Sequence, residues 1–296
     1  MHCIVGWSNN IIFGVLRNKI LLNRNRANTR LVINAESLNA LLSDKSKKKK
    51  VIIVDVRTFA DYIRGHIPGA INVDLMHFHW IDTSKTGISQ FNKQTRILLS
   101  NLGLSKDMKV IFYEGNSGPT AARGVWLLNY FSHRNVCLLD GGFEEWQKEG
   151  FPVETKTNPY RHSSFIGTVE PEILATYKEI LTAIKNKDNN VLIVDTRSSS
   201  EFDGSVLRAA KAGHIPNAIN IDWSKNIEDR AFKVQKKLRE IYSHIPKDKE
   251  IITYCQGGYR ASNTYLALKM IGYSNVKVYL GSWGEWGNKD ELPAEN

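Results

Sequence analysis

One stretch of this chain occurs twice. VIIVDVRTFADYIRGHIPGAINVD at 51 to 74 returns as VLIVDTRSSSEFDGSVLRAAKAGHIPNAINID at 191 to 222. Asp55 and Arg57 correspond to Asp195 and Arg197 at an offset of 140, and His66 to His214 at an offset of 148, so the second copy carries an eight-residue insertion. Further on, KVIFYE (109–114) matches EIITYC (250–255), and NVCLLDGGFEEW (135–146) matches NVKVYLGSWGEW (275–286). Matching order over such a length implies two duplicated domains, because a solenoid would repeat every ~20–50 residues. The length of 296 residues suits two domains of ordinary size.

Each copy opens with a short, nearly all-apolar run ending in Asp, the pattern of a strand buried on both faces of a parallel sheet. In the second copy VLIVD, IITY and VKVYL read as three such strands. Between the last two, Ala261, Tyr265, Leu268 and Ile271 recur at helical spacing, and Gly272 stands where a left-handed cap would end the helix. Strands alternating with helices predict an α/β fold, a mainly parallel sheet flanked by helices, in each domain. The segment 153–166, rich in proline and polar residues, separates a domain at 31–152 from one at 167–296. A helix is expected to open the second domain, with Thr168 as its N-cap and Glu170 and Pro171 in its first turn.

The formal charge is +10, part of it in Lys45, Lys47, Lys48, Lys49 and Lys50, a run that reads as a solvated loop rather than a nucleic-acid or membrane contact. A basic protein does concentrate small anions, so an anionic substrate fits. Cys3, Cys137 and Cys255 are odd in number and lack a CxxC spacing, which argues against a disulfide framework or a zinc ribbon and for a reducing compartment. Arg17 and Lys19 interrupt IIFGVLRNKILL, and no apolar run reaches the ~18–20 residues of a membrane helix. Residues 1–30 form a basic extension: Arg17, Lys19, Arg24, Arg26 and Arg30 all precede the first acid, Glu36. That composition resembles an organellar presequence, although serine is scarce, and the alternatives are a flexible extension or a start codon set too far upstream. The cytoplasm is the expected compartment, with the mitochondrial matrix as the alternative.

Cys255 lies just past a strand's carboxyl end and just before a helix, on the rim where open α/β sheets bind ligands. In CQGGYR, Gly257 and Gly258 remove Cβ obstacles to a tight curl that can point several backbone N–H groups inward. Such a nest, with the helix N-terminus and Arg260, stabilises an anion at its centre. The first anion in reach is the thiolate of Cys255 itself, since surroundings of this kind favour thiolate over thiol. Cys137, inside the apolar VCLL, reads as inert core.

Taken together, VDTR, GHIPNAIN, YCQGGYRAS and YLGSWGEW in the second half, with VDVR, GHIPGAINVD and LDGGFEEW in the first, resemble the tandem-domain rhodaneses, the thiosulfate or 3-mercaptopyruvate sulfurtransferases. The resemblance spans about residues 32 to 292. It implies two tandem rhodanese-like domains with Cys255 as nucleophile, Gln256, Gly257, Gly258, Tyr259 and Arg260 as its loop, and no metal or organic cofactor. Glu114 stands where the first copy would carry its cysteine, and a carboxylate cannot accept sulfane sulfur, so that domain is expected to be silent and to complete the interdomain cleft. Related phosphatases separate Cys and Arg by five residues; here the four residues Gln256 to Tyr259 intervene, a ring sized for a persulfide. The partners implied are a small anionic sulfur donor and a thiol or protein cysteine acceptor, for a monomeric enzyme.

CQGGYR matches neither of the two loops best known in that family. Gln256 offers hydrogen bonds without charge, and Arg260 the cation that a sulfonate or carboxylate requires. Loops of the CQxGxR kind resemble enzymes that use thiosulfate, which makes it the expected donor and 3-mercaptopyruvate the alternative. Arg208, within the insertion, is a second candidate for contacting the donor. A non-catalytic persulfide carrier serving one protein partner is a further alternative, and a phosphatase a third. Asp195 and Arg197 read as a structural ion pair, because Asp55 and Arg57 repeat them beside Glu114; His66 and His214 follow the same logic. His77 and His79 make at most a weak metal motif, and Trp283 and Trp286 read as core.

Overall fold

The computed structural model describes residues 31–296, so Cys3 and the basic stretch containing Arg17, Lys19, Arg24, Arg26 and Arg30 lie outside the described residues. The first domain runs β1 (Val32–Ile33), α1 (Ala35–Ser43), α2 (Lys45–Lys48), β2 (Val51–Asp55), α3 (Phe59–Arg64), β3 (Ile71–Asn72), α4 (Lys85–Asn101), β4 (Lys109–Tyr113), α5 (Pro119–Tyr130), β5 (Val136–Leu139) and α6 (Gly142–Lys148). The second runs β6 (Leu174–Ala175), α7 (Tyr177–Lys185), β7 (Val191–Asp195), α8 (Ser199–Phe202), β8 (Ile219–Asn220), the ribbon β9 (Ile227–Glu228) and β10 (Ala231–Phe232), α9 (Gln235–Ile241), β11 (Glu250–Tyr254), α10 (Tyr259–Met270), β12 (Val276–Tyr279) and α11 (Ser282–Trp286).

The duplication read from the sequence is a duplication of topology. One five-stranded sheet has the order β1-β5-β4-β2-β3 and the other β6-β12-β11-β7-β8, with parallel pairing throughout. Successive strand residues face opposite ways, which accounts for the unbroken apolar runs. Ile53 and Ile111 turn to an outer core with Tyr62 and Trp146, while Val54 and Phe112 turn inward. Ile193 and Ile252 likewise face an outer core with Trp283 and Trp286, and Val194 and Ile251 face inward. The inward residues of both sheets join one continuous apolar core, crossed by α5 and α10.

Two sequence expectations change. The helix that opens the second domain starts after Thr176 rather than Thr168: Thr176 and Glu179 form a reciprocal capping box, while Leu174–Ala175 is taken up as an edge strand on Val278 and Tyr279. The lysine run is solvated as expected but is a helical turn, because the Asp44 carboxylate accepts from Ser46 N and Lys47 N. The connecting segment is anchored on the first domain: Glu154 pairs its backbone with His66, and Asn158 Nδ2 donates to Ala70 O. Among the described residues no helix is long and apolar enough to cross a membrane.

The paired motifs prove to be braces. Arg57 grips Asp55 and the Gly65 carbonyl, and Arg197 grips Asp195 and the Gly213 carbonyl, with Nη2–Oδ2 distances of 2.5 and 2.6 Å. His66 stacks on Tyr62 and His214 on Phe202, both at 3.7 Å, each with Nδ1 2.8 Å from that partner's carbonyl oxygen. Cys137 is buried in β5, and burial pushes its thiol up to about 11.

Candidate active site

The register of β11 on β7 sets Tyr254 beside Asp195 and leaves Cys255 one residue beyond the strand end. From there the chain curls into α10. Gly258 adopts φ +85°, a left-handed conformation that glycine takes without strain, and its N–H donates to Cys255 Sγ at 3.1 Å. Ser262 closes the curl from the helix, its Oγ donating to the Gly258 carbonyl at 2.7 Å. From the opposite side, Ser282 accepts from Cys255 N at 3.2 Å and donates to Tyr279 O at 2.8 Å. It is held at φ +52°, unusual for a residue with a side chain, and backbone strain of this kind concentrates at functional sites. Trp283 N and Gly284 N then donate to the carbonyls of Cys255 and Gln256 at 2.9 and 2.8 Å. The two carbonyls are thereby engaged by backbone donors, and the Gly258 N–H is the backbone donor on the sulfur.

The loop residues singled out in the sequence therefore stand together around one thiol, but Arg260 differs from its expected part. Its guanidinium forms a two-pronged pair with Glu201, at 2.6 and 2.9 Å, in the capping box of α8. Burial alone would raise the Glu201 carboxyl, yet the bonds and charge of Arg260 hold it down at about 2. Arg260 also interacts with the Cys255 thiol by hydrogen bond and charge, so its cation is shared between Glu201 and the sulfur. Arg208 meets the loop through its backbone carbonyl, which accepts from Gln256 Nε2 at 3.0 Å, while the residue itself is exposed.

The first domain reaches into this site in three places that sequence reasoning missed. Tyr259 Oη donates to the Leu75 carbonyl at 2.6 Å. His79 stacks on Tyr259, centroids 6.0 Å apart and planes 2° from parallel, and lies so close to Gly257 that a Cβ there would come within 1.8 Å of His79 Cε1. Gly257 is thus a glycine because another domain's ring occupies its side-chain space. Burial, then the charge of Arg123, lowers the His79 pKa and favours neutral imidazole. The third is Arg123 itself, from α5, whose Nη1 would stand 3.0 Å from a Cβ on Gly258. Of the weak metal motif at His77 and His79, His77 lies 3.0 Å from Asp74, and among the described residues no cluster of three metal-ligating side chains occurs. An arginine within the otherwise apolar AARGVWLL was the one available signal for Arg123.

The matching loop of the first domain is filled by its own side chain. Glu114 Oε1 accepts from Thr120 N and Ala121 N, both at 2.8 Å, at the start of α5. A carboxylate there occupies the anion position and offers no nucleophilic sulfur.

Comparison with known proteins agrees with this geometry. The family model described as a rhodanese-like domain matches residues 36–149 and 177–289. The chain is 32% identical over 249 residues to a thiosulfate sulfurtransferase of Pseudomonas aeruginosa, covering 83% of this chain and 91% of that one. It is 33% identical over 270 residues to a protein of the same name from Azotobacter vinelandii, covering 90% and 97%. A sulfur carrier protein, TtuD, from Thermus thermophilus is 35% identical over 246 residues, covering 78% and 86%. Among solved structures, an anaerobic ergothioneine biosynthesis enzyme from Chlorobium limicola superposes with a TM-score of 0.80 at 23% identity, over 92% of this chain and 71% of that one, a likeness of fold.

Proposed function

The chain belongs to the rhodanese family, whose domain it carries twice, and from that premise we propose that it is a sulfurtransferase moving sulfane sulfur from thiosulfate through a Cys255 persulfide to a thiophilic acceptor. The observation that carries this reading is the Gly258 N–H aimed at Cys255 Sγ from a loop whose Cys255 and Gln256 carbonyls are engaged by α11. In the first step the Cys255 thiolate attacks the outer sulfur of thiosulfate; the S–S bond breaks, sulfite leaves with the electron pair, and the enzyme retains Cys–S–S⁻. In the second, cyanide, a thiolate or a protein cysteine attacks the terminal sulfur, and Cys255 departs as thiolate. Negative charge is on sulfur before and after each step, so the preorganised Gly258 N–H donor serves both. The names of the relatives from Pseudomonas aeruginosa and Azotobacter vinelandii support thiosulfate as the donor, with 3-mercaptopyruvate as the alternative.

The test is thiocyanate production from cyanide, with each donor in turn, by the native chain and Cys255→Ala. Ping-pong kinetics, the higher kcat/KM with thiosulfate and an inactive alanine variant are expected; a higher kcat/KM with 3-mercaptopyruvate reverses the donor assignment. The likeness to a sulfur carrier protein favours a second reading. If thiosulfate loads a persulfide on Cys255, seen as a +32 Da mass shift (about one sulfur atom), yet cyanide removes it slowly while a protein thiol removes it fast, the protein works as a carrier.

A further inference from the structure

Arg123 belongs to the domain without a nucleophile, yet its head lies in the site of the other. The residue is 1% exposed, and Nε, Nη1 and Nη2 all lack a hydrogen-bond partner among the described residues. A buried cation is normally paired, since one left bare in a desolvated place is costly. Its neighbours are the rings of Trp126 at 4.5 Å, Tyr259 at 5.6 Å and Phe91 at 5.9 Å, which attract a cation through their faces but bring no countercharge. Burial pulls its pKa down to about 10, opposed by the phenol of Tyr259 and the thiol of Cys255.

The other polar groups near that sulfur have partners of their own or carry no charge. Arg260, at the start of α10, is matched by Glu201 of α8. Tyr259 is held as a neutral phenol, burial pushing it up to about 12, and His79 is biased toward neutral imidazole. Asp74, which acts on Tyr259, has His77 3.0 Å away. Of the two guanidiniums near that thiol, whose working forms are anions, Arg123 alone has no hydrogen-bond partner among the described residues.

We infer that Arg123 is a positioning residue of the site, the counter-cation that the silent domain provides to the anionic sulfur of Cys255, first as thiolate and then as persulfide. Only the persulfide half rests on the sulfur-transfer reading. The arrangement explains why a domain with a carboxylate in its own loop stays docked on the loop that reacts: a second cation, without a hydrogen-bonded carboxylate of its own, comes across the interface.

The experiment measures carboxamidomethylation of Cys255 by iodoacetamide against pH, with the modified peptide quantified by mass spectrometry, in the full native chain and in Arg123→Met, Arg123→Gln and Arg123→Lys. In the two neutral variants the rate at neutral pH is expected to fall about tenfold and the half-maximal pH to rise by about one unit, with Arg123→Lys recovering most of the loss. Thermal unfolding of Arg123→Met is expected to hold or rise, because the substitution removes an unpaired buried charge. A neutral-variant profile that superimposes on the native one overturns the inference, as does failure of both neutral variants to fold, since either makes the guanidinium a structural group. Alkylation requires no sulfur donor. A native chain that produces no thiocyanate while its alkylation still responds to Arg123 would therefore overturn the proposed function and leave the role of Arg123 standing.

Discussion

At position 114 the first copy places a carboxylate where the second has a thiol, and its surroundings hold it tightly. Burial pushes the Glu114 carboxyl up to about 7, against the opposing pull of the Ala121 and Thr120 N–H groups. Its unfolded value is near 4.5, so between that pH and about 7 the native state keeps a proton that the unfolded chain has lost. The resulting stability is complete below pH 4.5 and is lost as pH rises through 7, a difference of about 3 kcal/mol in order of magnitude. Glu114→Gln keeps the acceptor oxygen for both N–H groups and discards the charge. Denaturant unfolding is expected to find it close to the native chain at pH 5 and more stable by about 1–3 kcal/mol at pH 8. Lower stability at pH 8 would mean that the loop prefers the anion. The contrast with Cys255 shows what is legible at this scale. A thiol between a strand and two glycines announces itself, and Glu114 is legible only by alignment with it. Arg123 is opaque, because its meaning depends on a loop in another domain.

Among the elements, those specified by local pattern were readable and those specified by a neighbour were not. Burial on both faces of β2 and β11 follows from their apolar runs, and the left-handed Gly272, at φ +94°, ends α10 as its position implied. Thr168 and Thr176 both precede acids, and the choice between them turned on whether Leu174–Ala175 found an edge to pair with. The segment 75–83 is the clearest case of tertiary placement. It runs from the Leu75 carbonyl on Tyr259, past His79 on Gly257, to Thr83, whose N and Oγ1 donate to Glu285 of α11 at 2.8 and 2.5 Å. It is a strap over the Cys255 loop, and Cys255 beneath it is only 1% exposed. Gly257→Ala puts a methyl where the His79 ring lies, at a position whose backbone needs no glycine, so displacement of the strap carries the whole cost. Sulfur transfer is expected to fall by about tenfold or more in Gly257→Ala, and by less when the same change is made in a His79→Ala background, since the clash is then gone. Equal losses in both backgrounds would assign the effect to the loop itself.

Across the molecule, the two domains share more than a linker. Residues from both sheets, from Val54 and Phe112 to Val194 and Ile251, join one buried apolar cluster, with α5 and α10 packed against each other inside it. Polar groups cross at its margins: Asn263 Nδ2 donates to Ser117 O at 2.8 Å, Phe232 N to Asp140 Oδ1 at 2.9 Å and Trp126 Nε1 to Ile173 O at 3.2 Å. Domains joined by small polar contacts move and unfold separately, whereas a large apolar contact couples them. Calorimetry is therefore expected to show one unfolding transition, with calorimetric and van't Hoff enthalpies in agreement, although the sequence describes two domains. Asn263→Ala should lower its midpoint without dividing it. The buried Ser117 carbonyl would lose that donor at a cost of about 1–3 kcal/mol, or about 2–12 °C for a cooperative unit of this size. Two resolved transitions would break the argument at its base, because a second domain that opens independently would withdraw Cys255 from both Arg123 and the strap long before it lost its own fold.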